Sequence, residues 1–78
     1  MKVFLMLVFC MPSSKSCDVQ WSTAIYPTVQ ECSYVAPNWL ETTRRWGWGP
    51  KQRKPTGVFC EVGKAPPKSY KANVEDFQ

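Results

Sequence analysis

The longest run of apolar residues lies at the start of the chain, where Val3 to Met11 follow a single basic residue, Lys2. Pro12 ends this run, and small polar residues come after it. A basic residue, a short apolar stretch and a small polar tail are the layout of a secretory signal peptide. The run is far shorter than the roughly 20 residues that a membrane-spanning helix needs. The pattern therefore predicts that residues 1–16 are a signal peptide and that the mature protein is secreted.

The same apolar run also fits a second interpretation, because periodicity cannot distinguish a short segment of a buried core from one in a signal peptide. In that interpretation Met1 to Met11 form a buried strand, or the docking arm of an unprocessed subunit in a large assembly. Processing would also change the electrostatics, since loss of Lys2 and Lys15 would lower the formal net charge of +4 by two. A chain of this length forms one domain at most.

Apolar and polar positions predict three strands in the rest of the chain. In residues 19–25, apolar and polar side chains alternate with the period of a half-buried strand. Residues 28–35 are rich in β-forming types, although their alternation is less regular. Residues 57–63 give the clearest signal, because two valines and a cysteine share one face between bounding glycines.

One short helix is expected after the second of these strands. Asn38, followed three residues later by Glu41, resembles a capping box, in which both side chains bond to backbone amides at the helix start. The helix would run from Trp39 to about Trp46. It would end at Gly47, because glycine suits the left-handed conformation that follows a helix.

These elements define the expected fold and its boundaries. The fold class is mainly β: a small antiparallel sheet or sandwich with one short helix, stapled by a disulfide, over residues 17–63. Residues 64–78 hold a proline pair and several lysines, a composition that favours an extended and solvated tail.

The cysteine pairing depends on processing. The chain has four cysteines, and removal of a signal peptide would take Cys10 with it. The three that remain, Cys17, Cys32 and Cys60, allow one bridge and one leftover thiol. A bridge from Cys17 to Cys60 closes the longest loop, for which the chain-entropy model gives about 4 kcal/mol, and it is the preferred pairing. Cys32 would then be a buried small side chain, an intermolecular bridge that joins a dimer, or half of a pair that leaves Cys17 unpaired.

The composition argues against catalysis. The chain has no histidine, so Ser-His-Asp and Cys-His arrangements are absent, together with the side chain that most often transfers protons near neutral pH. The cysteines lack the paired spacing of a zinc site, and the chain has no glycine-rich phosphate loop. We therefore expect no enzyme activity, no metal site and no cofactor.

A binding surface remains, and the sequence places it in residues 44–54. Two tryptophans lie there among five cations: Arg44, Arg45, Trp46, Trp48, Lys51, Arg53 and Lys54. Aromatic rings can stack on bases or anchor in a protein pocket, while cations bind phosphate or carboxylate groups. A purely structural alternative is that Trp46 closes the small core while Trp48 lies under an arginine in an intramolecular cation–π pair.

The cysteine spacing and the size of the chain resemble a known family. A short secreted chain whose first mature cysteine lies about forty residues ahead of another is similar to the ToxB toxin and the MAX effectors of plant-pathogenic fungi. In that resemblance Cys17 and Cys60 match the shared bridge. Cys32 lies near the start of the second ToxB bridge, but its C-terminal partner is missing here. The resemblance implies a non-enzymatic effector that binds a host protein through the basic loop.

These observations predict a small, secreted, effector-like or toxin-like protein that binds a macromolecular partner. A host or extracellular protein is the expected partner, with nucleic acid and an anionic membrane surface as the alternatives. Two other functions stay open. The chain could be an unprocessed structural subunit that threads along RNA or neighbouring proteins, or a membrane-active cationic peptide.

Overall fold

A four-stranded antiparallel sheet and one long helix make up most of the protein in the computed structural model, which describes residues 1–77. The mainly β fold class is therefore confirmed. The strands lie in the order β3-β1-β2-β4, and the sheet is curled. The elements are β1 (Lys2–Cys10), β2 (Ser16–Tyr26), α1 (Val29–Trp46), β3 (Gly57–Gly63), β4 (Tyr70–Asn73) and a short 3-10 helix (Val74–Phe77).

The apolar run at the start of the chain forms β1, a central strand that pairs with β2 on one side and β3 on the other. No side chain from Val3 to Phe9 is more than 3% exposed. The odd-numbered side chains pack towards α1, and the even-numbered ones form a second cluster on the other face. Burial on both faces explains why the run lacks alternation. In the full chain this segment is a buried strand, while its removal as a signal peptide stays a prediction.

The helix is longer than the sequence predicted, and the strand expected over residues 28–35 is wrong. Thr28 is the N-cap, and its Oγ1 accepts a hydrogen bond from the Glu31 amide at 3.1 Å. This Thr-x-x-Glu capping pattern and the packing of Cys32 against β1 outweigh the local preference for a strand. Asn38 consequently lies inside α1 and caps nothing, whereas the end of the helix at Trp46 is confirmed.

The strand β2 contains an irregularity that changes which side chains it buries. Its pairing with β1 shifts between Phe4 and Met6, and Thr23 has a positive φ of 74°. The Trp21 indole Nε1 donates to the Ala24 carbonyl at 3.1 Å across this bulge. The strand ends at Tyr26, whose ring reaches the α1 side of the sheet.

The disulfide predicted between Cys17 and Cys60 is wrong. The antiparallel pairing of β1 with β2 sets Cys10 directly opposite Cys17, and these two form one bridge. The second bridge joins Cys32 on α1 to Cys60 on β3 and ties the helix to the sheet. All four cysteines are paired, so Cys32 has no thiol with which to join a dimer.

The segment expected as an extended tail contributes to the sheet. Residues 64–69 have no regular structure, but β4 pairs with the first half of β2, from Ser16 opposite Asn73 to Val19 opposite Tyr70. The last part of the predicted tail, Gln78, lies outside the described residues.

Candidate binding surface

The helix α1 ends against a tight hairpin. The Gly47 amide donates to the Thr43 carbonyl at 2.8 Å, with a Gly47 φ of 87°. Trp48 and Arg53 then face each other across two backbone hydrogen bonds of 2.7 and 3.0 Å. A Cβ on Gly47 would lie 2.6 Å from the Cβ of Gln52, so the turn of the hairpin is held directly against the helix end.

The seven residues predicted as a binding surface separate into two groups in the structure. Two of them, Trp48 and Arg53, are partly buried and hold the hairpin on the sheet. The other five side chains are exposed; three belong to the last turn of α1, one to the turn of the hairpin and one to the residue after it. We call them the cationic end: Arg44, Arg45, Trp46, Lys51 and Lys54.

Arg53 has a structural role. Its guanidinium carbon lies 4.5 Å from the centroid of the Phe9 ring, in a cation–π contact. Its Nη2 donates to Asp18 Oδ2 at 3.1 Å, and about a third of each side chain is exposed. The cation–π partner is therefore a phenylalanine of β1 and not a tryptophan of the same loop. Arg53 fixes the hairpin to both β1 and β2.

The structural alternative, in which Trp46 closes the core and Trp48 lies under an arginine, is wrong for both tryptophans. Trp48 packs against the core cluster on the α1 side of the sheet, with its ring edge-on to Trp39 at 6.2 Å between centroids. Trp46, in contrast, is 71% exposed. The core position therefore belongs to Trp48, and Trp46 is left on the surface.

The cations of the cationic end are held only weakly by acidic groups. Arg45 lies 3.6 Å from Glu41, but both side chains are about 70% exposed, and pairs of this kind contribute little to stability. Among residues 1–75, no ion pair involves Arg44, Lys51 or Lys54. Arg44 and Arg45 lie in the last turn of α1, where positive charges stabilise a helix through its dipole. Stabilisation of the helix is therefore a structural explanation for the presence of these two cations.

An apolar trough, which the sequence analysis missed, runs between α1 and the end of β2. One hollow of about 330 Å³ and a neighbouring one of about 320 Å³ share Tyr26 and Val35 as lining residues. The Trp39 indole Nε1 donates to the Tyr26 hydroxyl at 2.9 Å and forms part of the floor. The sequence analysis assigned residues 28–35 to a strand, so it could not predict a trough that is lined by one face of a helix.

The side chains of residues 1–75 include no group of three or more Cys, Asp or Glu positioned to hold a metal ion. Over the same residues, no helix has both the length and the apolar character needed to cross a membrane.

In comparisons with known proteins, no family model, no curated protein and no solved structure matches this chain.

Proposed function

We propose that this protein is a small, secreted, non-catalytic binding protein, effector-like or toxin-like, and that its cationic end recognises an acidic surface of a host or extracellular protein. The observation that carries the proposal is the 71% exposure of Trp46 among unburied cations. Tryptophan and arginine are the side chains most enriched at the energetic centres of protein interfaces. A partner that covers this ring would remove its apolar surface from water, which favours association.

The two disulfides support secretion. Disulfides form and persist in oxidising compartments and are rare in the cytosol. Four paired cysteines in 78 residues are typical of small secreted domains, which lack the core to be stable without covalent links. This argument does not depend on the signal-peptide prediction.

In this proposal the binding-competent protein keeps residues 1–16. Cleavage before Cys17 would remove the strand between β2 and β3, together with seven side chains that are no more than 3% exposed. It would also leave Cys17 without Cys10. The helix that presents Trp46 packs against β1 and would lose that support.

A protein partner suits this surface better than nucleic acid or a membrane. Nucleic-acid binding relies on neutralising many phosphates, whereas the formal net charge here is +4 and the cationic end supplies four cations. Membrane-surface binding usually relies on an amphipathic helix with a continuous apolar face in the lipid, but the buried face of α1 is already occupied by the sheet. Near the cationic end, the uncovered apolar surface consists of the Trp46 ring and the trough beside α1, which is the scale of a protein contact.

The test compares two triple variants that lower the charge equally. One changes Arg44, Arg45 and Lys51 to glutamine; the control changes the exposed Lys15, Lys64 and Lys68 to glutamine. The probe is a fluorescein-labelled glutamate-rich decapeptide with one central leucine, with oligothymidylate and phosphatidylserine vesicles measured in parallel.

We expect the first triple variant to bind the decapeptide about tenfold more weakly, which corresponds to about 1.4 kcal/mol. The control should stay within about threefold, because distant exposed charges are screened. Equal losses in the two variants would overturn the proposal. Tighter binding of the oligonucleotide or of the vesicles than of the decapeptide would overturn it in favour of a nucleic-acid or membrane function.

A further inference from the structure

The strand β3 forms one edge of the sheet, and within residues 1–77 it pairs only with β1. The Val8 carbonyl accepts from the Thr56 amide at 2.7 Å, and the Cys10 amide donates to Thr56 Oγ1 at 3.1 Å. Even-numbered residues of β1 therefore direct their backbone groups towards β3, because these groups alternate in direction along a strand. The residues opposite them on β3 are odd-numbered, from Gly57 to Gly63.

The even-numbered residues of β3 consequently direct their amide and carbonyl groups away from the sheet: Val58, Cys60 and Val62. Among the hydrogen bonds within residues 1–77, none satisfies these outward groups. The side chain of Val62 is 47% exposed, and those of Val58 and Cys60 are only partly buried. A row of open backbone groups beside apolar side chains is a template on which another strand can pair.

The opposite edge of the sheet is protected in ways that β3 is not. The strand β4 has four residues, includes Lys71 and leads directly into the 3-10 helix. Short edge strands and lysine side chains are common devices against pairing with other chains. In contrast, β3 has seven residues with no lysine and no proline, and Glu61 is its only charged residue. The long open edge of the sheet is therefore β3.

The sequence of β3 is nearly the same in both directions. In Gly-Val-Phe-Cys-Glu-Val-Gly, Cys60 is central, with a valine two positions away and a glycine three positions away on each side. Antiparallel pairing with an identical strand about a two-fold axis sets each residue opposite its mirror position. Val58 then packs against Val62 of the second copy. Glu61 lies opposite Phe59 of that copy, so two carboxylates are not directly opposed.

We infer that the open edge of β3 is the pairing site for a second copy of this chain, in an antiparallel dimer with its two-fold axis beside Cys60. The two sheets then join into one continuous sheet. Each outward residue exchanges a pair of hydrogen bonds with its opposite number, Val58 with Val62 and Cys60 with Cys60 of the second copy. The inference goes beyond the proposed function and does not depend on the cationic end.

Small side chains of α1 lie on the side where the second copy approaches. The two helices would lie on the same face of the joined sheet, and the bridge from Cys32 to Cys60 places each one near the axis. The apolar trough lies on the β2 side of α1, so the opposite side of the helix faces the open edge. Ser33 is exposed on that side, with Val29 and Pro37 one turn away in each direction. A serine near the axis allows two helices to pack side by side.

Sedimentation equilibrium of the full-length, oxidised protein tests the pairing. Val62→Lys places a charge opposite Val58 of the second copy, and Asn73→Lys, at an exposed position of β4, is the control with the same added charge. Val62→Pro removes an outward amide but keeps the bonds to β1, which come from odd-numbered residues. Thermal unfolding followed by circular dichroism establishes that each variant is folded.

We expect the wild type to dimerise with a Kd on the order of 10–100 µM, since one pair of strands is a small interface. Both substitutions of Val62 should raise this Kd at least about tenfold, whereas Asn73→Lys should change it by less than about twofold. A wild type that is monomeric at about 1 mM would overturn the inference. Equal Kd values for Val62→Lys and Asn73→Lys would overturn it as well.

Amide hydrogen exchange of the wild type tests the same edge without any substitution. Raising the protein concentration from about 10 µM to about 1 mM should slow exchange at the outward amides of β3 about fivefold: Val58, Cys60 and Val62. The amides of Lys71 and Asn73 on β4 are the control and should change by less than about twofold. A dimer that leaves exchange at the β3 amides unchanged uses another surface, and that result would overturn the inference.

Discussion

The contact between Gly47 and the hairpin gives a sharp prediction about what positions the cationic end. Gly47 has φ 87° and ψ 165°, a combination that costs any other residue of the order of 1–3 kcal/mol. In addition, a Cβ at this position would lie 2.6 to 2.7 Å from three atoms of Gln52, two of them backbone atoms. Carbon atoms normally approach to about 3.5–4.0 Å, so Gly47→Ala must displace the hairpin.

The magnitude follows from these two contributions. Overpacking of this kind typically costs about 1–3 kcal/mol, and the backbone strain adds a similar amount, so we expect Gly47→Ala to destabilise the protein by about 3 kcal/mol. Gly49 provides the matched control, because its φ is 79° but a Cβ there would meet no atom within 4 Å. Gly49→Ala should cost only the conformational strain, about 1–2 kcal/mol.

Thermal unfolding of the oxidised protein, followed by circular dichroism, measures the difference. In a domain of this size, 1 kcal/mol shifts Tm by about 4–8 °C, so Gly47→Ala should melt at least about 12 °C below the wild type and well below Gly49→Ala. Equal Tm values for the two variants would refute the close approach of helix end and hairpin on which the cationic end depends.

Three further predictions test other parts of the structure. Trp48→Ala should lower the free energy of unfolding by about 2–3 kcal/mol because the ring packs on the core, whereas Trp46→Ala should change it by less than about 0.5 kcal/mol. Urea titration measures both values, and equal costs would contradict the positions assigned to the two rings. Replacing Cys32 and Cys60 by serine should cost about 3.6 kcal/mol, against about 2.4 kcal/mol for Cys10 and Cys17, because the bridges span 28 and 7 residues. The reverse order in urea titrations would contradict the entropic explanation. The protein from its natural source should retain Cys10 in a bridge to Cys17 when its tryptic peptides are mapped without reductant, and a chain that begins at Cys17 would contradict the retention of β1.

Local patterns were sufficient to predict part of the fold. The strand at 57–63 lies between glycines and alternates cleanly, and the helix ends at Gly47 as its residue type indicates. The cationic residues at 44–54 were also evident from the sequence. Each of these features depends on residues that are close together in the sequence, so local patterns are enough to predict it.

Features that depend on distant parts of the chain could not be predicted. Burial on both faces removes the alternation that would have distinguished a strand from a signal peptide at β1, so the buried strand remained only the second interpretation. The cysteine pairing was wrong because Cys10 was assigned to a removed segment. Residues 28–35 favour a strand locally but fold as a helix that β1 and β3 support. The different roles of Trp46 and Trp48 are set by the position of the hairpin on the sheet.

The most direct test of the account is a nuclear magnetic resonance titration of the oxidised, full-length, nitrogen-15-labelled protein with the glutamate-rich decapeptide. We predict that the indole N–H of Trp46 and the amides around Arg45 shift most, and that raising the salt concentration reverses the shifts. Largest shifts on β4, or no shift at Trp46 while the peptide binds, would contradict the claim that the cationic end is the contact surface.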